Sequence, residues 1–129
     1  MRRLLIADQD LESRKRMANL FIEAGYHVTV TDSAASALYD VLKKTSQVVI
    51  LSSEFDEVRA ADLIPLLKRC NRKLTVILVT GELPLPLVRR LRREGIFYHA
   101  LRPVQPEDSE EIRQAVSCAF ASLIQQEAK

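Results

Sequence analysis

Apolar residues along this chain follow two rhythms that take turns. Short continuous runs recur at "LLIA" (4–7), "HVTVT" (27–31), "QVVIL" (47–51), "LTVILV" (74–79) and "FYHAL" (97–101), each of strand length and mostly rich in branched side chains. Between them apolar positions return every three or four residues, as on one face of a helix. These sets are Met17, Leu20, Phe21 and Ala24 before Gly25; Ala34, Ala37, Leu38 and Val41; Leu63, Leu66 and Leu67; and Leu87, Val88 and Leu91 before Gly95. The last stripe is the longest: Ile112, Ala115, Val116, Ala119, Phe120, Leu123 and Ile124. It stands behind an acidic first turn of Glu107, Asp108, Glu110 and Glu111, which suits the positive end of a helix dipole, and Pro106 fits the opening position. Strands this apolar need cover on both faces. The pattern therefore predicts an α/β fold of three layers, a (βα)5 doubly wound, five-stranded parallel sheet between helices.

Composition narrows the classes. The 129 residues, 47% of them hydrophobic, suit a single domain over residues 1–129, either a stand-alone protein or the N-terminal domain of a longer one. Nineteen Lys and Arg against 17 Asp and Glu leave a net charge of +2, so there is no global case for nucleic acid or an anionic membrane. No apolar run approaches the ~20 residues that span a bilayer. The N-terminal "MRRLLIADQD" meets an acid too early for a secretory signal. A cytoplasmic protein without a membrane partner is expected. Cys70 and Cys118 lie in helical patterns without a CxxC or a nearby His pair, which reads as idle thiols rather than a zinc or redox site.

In a doubly wound sheet, function gathers beyond the carboxyl ends of the strands. Immediately beyond the first, third, fourth and fifth runs stand "DQD" (8–10), "SSEFD" (52–56), "TGE" (80–82) and "RP" (102–103), which places acids, hydroxyls and one cation on a single edge. In this order and spacing the chain resembles the receiver domain of bacterial two-component response regulators over essentially its whole length. The resemblance implies a flavodoxin-like strand order, 2-1-3-4-5. It also implies an acidic pair after the first strand and an Asp ending the third that hold Mg²⁺, that Asp accepting a phosphoryl group from a histidine kinase. A Thr or Ser after the fourth strand and a Lys before a Pro, usually joined by a cis peptide, then contact the phosphoryl oxygens. Position by position, Asp8 matches the first acid, Thr80 the hydroxyl switch and Arg102–Pro103 the Lys-Pro step. His99, three residues before the basic residue, matches the rotating aromatic switch.

The departures fall at the chemistry. Ser52 occupies the phosphoacceptor position, and a hydroxyl cannot form an acyl phosphate and is a poor, neutral ligand for Mg²⁺. Gln9 replaces the second acid of the cluster Asp8, Gln9, Asp10, removing a second metal-ligating charge. Arg102 offers a planar fork where an ammonium acts as a point charge, and Asp56 stands where the family often has Pro. With the metal and its Asp gone, the remaining anions, Asp8 and with it Asp10 or Glu54, still need a counter-charge at a partly buried edge, and a fixed ion pair in which Arg102 supplies it is the expectation. The implied function is a phosphorylation-independent, non-enzymatic signalling module that holds no cofactor and acts through protein contacts. The alternative is a Mg²⁺-dependent phosphoreceiver using Glu54 or Asp56 as an atypical acceptor.

Plainer readings stand beside each of these. Ser52 also suits the end of a strand as a small residue, and without a Gly-x-Ser-x-Gly elbow, and with His27 and His99 not forced near it, hydrolase chemistry has no support. Glu54 and Asp56 read equally as solvated loop acids, Thr80 as a local cap, and His99 as an ordinary strand histidine or a pH-sensitive contact. Arg89, Arg92 and Arg93 share a helix face with Arg90 beside it, which describes a solvated face. In receivers, though, the fourth helix, fifth strand and fifth helix form the partner surface, so a kinase, adaptor or output domain, or a homodimer, is the partner class. Nucleic acid ranks third, because no aromatic platform or helix-turn-helix accompanies the arginines.

Overall fold

The computed structural model describes residues 2–52, 54–55, 58–102 and 109–127. Its main strands are β1 (Arg3–Ala7), β2 (His27–Thr31), β3 (Val48–Ser52), β4 (Thr75–Thr80) and β5 (Tyr98–Leu101). The helices between and after them are α1 (Leu11–Glu23), α2 (Ala34–Leu42), α3 (Ala60–Cys70), α4 (Leu85–Arg93) and α5 (Ser109–Glu127). Every main-sheet pairing is parallel, and the order is β2-β1-β3-β4-β5. The doubly wound architecture and the 2-1-3-4-5 order expected from the sequence are the ones observed. A short antiparallel pairing of Glu54–Phe55 with Val58–Arg59 closes the segment between β3 and α3.

Alternation along the strands divides the core. Leu5, Ala7, Val49, Leu51, Val76 and Leu78 face α2, α3 and Leu91 of α4. Their neighbours Leu4, Ile6, Val48, Ile50, Ile77 and Val79 face Met17 and Phe21 of α1 and Ile112, Val116 and Phe120 of α5. All five residues of β3 are buried, as befits the central strand. On the α1–α5 side Tyr26 links the two helices: its ring lies 5.6 Å from Phe21, edge-on, and 5.4 Å from Phe120, with the Arg2 guanidinium 4.1 Å above it.

The helix ends follow local chemistry. Ser33 caps α2 by accepting the Ser36 N–H at 3.3 Å, and Ser33→Ala is expected to lower unfolding free energy by about 1 kcal/mol in urea titration. Gly25 and Gly95 follow α1 and α4 with φ of +92° and +90°, a left-handed turn that favours glycine and lets the chain leave the helix. Two stripe positions differ from the expectation: Leu66 and Ile124 are 44% and 63% exposed, because each sits on the flank of its helix and turns away from the sheet. Glu110 and Glu111 do occupy the first turn of α5. Pro106, Glu107 and Asp108 lie outside the described residues.

Candidate functional site at the carboxyl edge of the sheet

Four of the five buried polar side chains among the described residues stand at the carboxyl ends of strands: Asp8, Thr31, Ser52 and Thr80. Burying polar groups is costly unless they are paired, so their concentration on one edge marks it out. Ala7 is in register with both Thr31 and Leu51, which brings Asp8 and Ser52 level on adjacent strands, about 4.8 Å apart. Alternation places both toward α1 and α5, whereas Thr80 follows Val76 and Leu78 toward α4.

Asp8 is 3% exposed. Its Oδ1 accepts the Asp10 N–H at 3.0 Å, and its carbonyl oxygen accepts an Arg14 guanidinium N–H at 2.8 Å. Its own N–H donates to the Thr31 carbonyl at 3.2 Å. Gln9 and Asp10 are exposed, and Asp10 is the residue from which α1 starts. Arg102 pairs with neither Asp8 nor Asp10: among the described residues the ion pairs are Arg90–Asp62 and Arg113–Glu110, and the Glu54 side chain lies outside those residues. The backbone accounts for this. The Arg102 N–H extends the β4–β5 ladder by donating to the Thr80 carbonyl at 2.7 Å, and its side chain is exposed. The cation that does reach Asp8 is Arg14, which an inspection of strand ends alone overlooks. Its signal in the sequence is a basic residue four positions after Asp10, one turn into the helix that begins beyond the acidic cluster.

Thr80 is fully buried, and its Oγ1 lies 2.6 Å from the Gly81 carbonyl and 2.6 Å from His99 Nε2. A hydroxyl has one proton. If that proton goes to the Gly81 carbonyl, the oxygen accepts from His99 Nε2–H. Thr80 and His99, which the sequence aligned only as separate switch-like positions, are thus directly joined. Burial lowers the His99 pKa below the ordinary histidine value, Arg92 adds to the shift and Glu111 opposes it. Because the folded value lies below the unfolded one, the unfolded chain takes up the proton first as pH falls. The His99 contribution to stability is therefore complete above about pH 6.5 and declines as pH drops through that value toward the lower folded pKa. Urea midpoints measured across this window should fall with acidification in the wild type and fall less in His99→Gln.

Arg89, Arg90, Arg92 and Arg93 are all exposed on α4, and Arg90 reaches Asp62 of α3 at 3.3 Å. Pro103, Asp56 and the side chain of Glu54 lie outside the described residues. No described helix is long and apolar enough to cross a membrane.

Comparison with known proteins agrees with this geometry. The family model for the response regulator receiver domain matches residues 4–117. Nodulation protein W of Bradyrhizobium diazoefficiens is 21% identical over 105 residues, covering 81% of this chain and 46% of that protein, so the chain spans about half the length of this curated relative. A receiver domain from Clostridium thermocellum superimposes with a TM-score of 0.85 at 20% identity, over 98% of this chain and 99% of the other. The beryllofluoride-activated NtrC4 receiver dimer does so with a TM-score of 0.84 at 18% identity, over 95% and 98%. An acid after β1, a hydroxyl ending β4 and a basic residue after β5, on a sheet of this order and with these relatives, make the chain a member of the response regulator receiver domains of two-component signalling.

Proposed function

We propose that this receiver domain signals without being phosphorylated, acting as a protein-interaction module with no catalytic chemistry of its own. The observation that carries the reading is Ser52: a buried serine ends β3 level with Asp8, where the receiver family is expected to carry its phosphoacceptor aspartate. A serine there supplies neither the carboxylate that forms an acyl phosphate nor an anionic ligand.

The donor set fits Mg²⁺ poorly. Asp8 is the one buried carboxylate of the edge among the described residues, and its Oδ1 is engaged by the Asp10 N–H. Gln9 and Ser52 are neutral. Among the described residues no group of three or more His, Cys, Asp or Glu side chains is gathered to hold a metal. Hard divalent cations favour several anionic oxygens.

The partner surface in this reading is α4 with β5. Leu85, Phe97, Tyr98 and Leu101 are exposed there at 59, 43, 40 and 57%, beside the α4 arginines. Apolar area supplies the affinity and the cations the orientation, since exposed ion pairs contribute only about 0–1 kcal/mol each. A kinase, adaptor, output domain or second copy would use this face, as a homodimer or a complex in the cytoplasm.

The second reading, an atypical phosphoreceiver, rests on Glu54, whose backbone enters the short hairpin two residues after Ser52, and on Asp56. Exposure to Mg²⁺ with a small phosphodonor and then intact mass analysis separates the two. An unchanged mass is expected; a phosphoryl adduct mapping to Glu54 or Asp56 would establish the second reading.

A further inference from the structure

At the opposite end of the sheet, beneath the amino ends of the strands, lies a cavity of about 580 Å³. Five cations line it: Arg3 at the start of β1, Lys44 after α2, and Arg69, Arg72 and Lys73 around the turn from α3 into β4. They come from three separate stretches of chain, so their meeting is a product of the fold and not of a local charge run. None of the lining residues is acidic, and none of the five forms an ion pair among the described residues. The whole chain carries a net charge of only +2, so this concavity concentrates far more positive charge than the chain average. A cleft lined by one sign of charge focuses its field and draws in the opposite ion.

The neutral lining points the same way. Gln47 Oε1 accepts the Arg3 N–H at 3.1 Å, and Asn71 Oδ1 accepts the Lys73 N–H at 3.0 Å. With both amide oxygens engaged, the two NH₂ groups are left as donors at the cavity these residues line. Ser46 also lines it, 1% exposed, with a buried hydroxyl that has no hydrogen-bond partner among the described residues. Lys44 adopts a φ of +57°, a left-handed turn that glycine would make without strain. A lysine is held there instead, beside the other four cations.

We propose that this cavity binds a compact polyphosphate, either free or as the tail of a nucleotide. Several cations and amide donors in one concavity suit a chain of phosphate oxygens, and the volume falls within the range of small-molecule sites, roughly 300–1,000 Å³. No aromatic side chain lines the cavity, so it lacks the stacking platform that single-stranded nucleic acid uses. The site lies at the far end of the sheet from Asp8 and Ser52 and stands or falls independently of whether this receiver is phosphorylated.

Isothermal titration calorimetry of the whole chain at about 0.15 M salt, with inorganic tripolyphosphate, ATP, AMP and a short DNA duplex as separate titrants, tests it. Tripolyphosphate and ATP are expected to bind saturably with one-to-one stoichiometry, and AMP at least about tenfold more weakly. Equal affinity for the first two assigns the free chain as sufficient; tighter ATP binding assigns the nucleotide. The double variant Arg69→Gln with Arg72→Gln should lose at least about tenfold in affinity, whereas Arg92→Gln with Arg93→Gln, removing the same charge from α4, should stay within about twofold. All four positions are exposed, so the variants are expected to fold. Absence of saturable tripolyphosphate binding below about 1 mM, equal losses in the two double variants, or binding of the duplex alone would each overturn the proposal.

Discussion

Truncating Phe21 to alanine is expected to remove about 3–5 kcal/mol of stability, seen as a lower urea midpoint with an unchanged slope. Phe21 is fully buried on α1 and meets Tyr26 edge-on, which in turn touches Phe120 of α5. Its loss would leave a cavity between the helices that cover one face of the sheet, and the strands beneath are too rigidly hydrogen-bonded to close it. A domain of this size has only about 5–15 kcal/mol in all, so the variant should be near its unfolding limit. The next residue supplies the control. Ile22 is 57% exposed, and Ile22→Ala should change stability by no more than about 0.5 kcal/mol. Equal losses from the two would mean that α1 does not face the sheet as described.

Introducing a carboxylate by Ser52→Asp is expected to destabilise the fold at neutral pH by about 3 kcal/mol, corresponding to a pKa rise of about two units. Ser52 and Asp8 are 4% and 3% exposed on adjacent strands, and two carboxylates held so close resist joint ionisation. The unfolded chain ionises the new group near pH 3.9, the folded chain only at higher pH. Stability is therefore retained below the unfolded value and lost as pH rises through the raised folded one. Millimolar Mg²⁺ should recover part of the loss in the variant, because a second carboxylate beside Asp8 creates a pair of anionic oxygens. The wild type should show no such recovery. Thermal unfolding with and without the ion at two pH values measures both effects; a variant as stable as wild type without metal would show that the two positions do not share one buried environment.

Much of the fold was legible because its signals are local. Short apolar runs bounded by polar residues marked all five strands, and Gly25 and Gly95 marked the ends of α1 and α4 through a backbone conformation that glycine favours. The strand ends also placed Asp8, Ser52 and Thr80 on one edge. The direction of side chains escaped. Arg102 and Asp8 both stand at strand ends, yet the Arg102 N–H continues the ladder and its side chain is exposed, while Arg14 approaches Asp8 from a helix. Leu66 and Ile124 fit a helical period and still lie outside the buried arc, since periodicity alone does not say how wide that arc is. The basic cavity was out of reach of sequence reasoning: its cations come from segments that only the completed sheet brings together.

The alternation that sends consecutive residues of one strand to opposite sides also splits the polar edge between two listeners. A change at Asp8 and Ser52 should press on α1 and α5, which share their side of the sheet, whereas a change at Thr80 and His99 should be felt first by α4, with Glu111 of α5 as a second neighbour of His99. Substitutions only one strand apart should therefore disturb different faces of the molecule. Amide exchange would show the first pair loosening α1 and α5 and the second loosening α4 most.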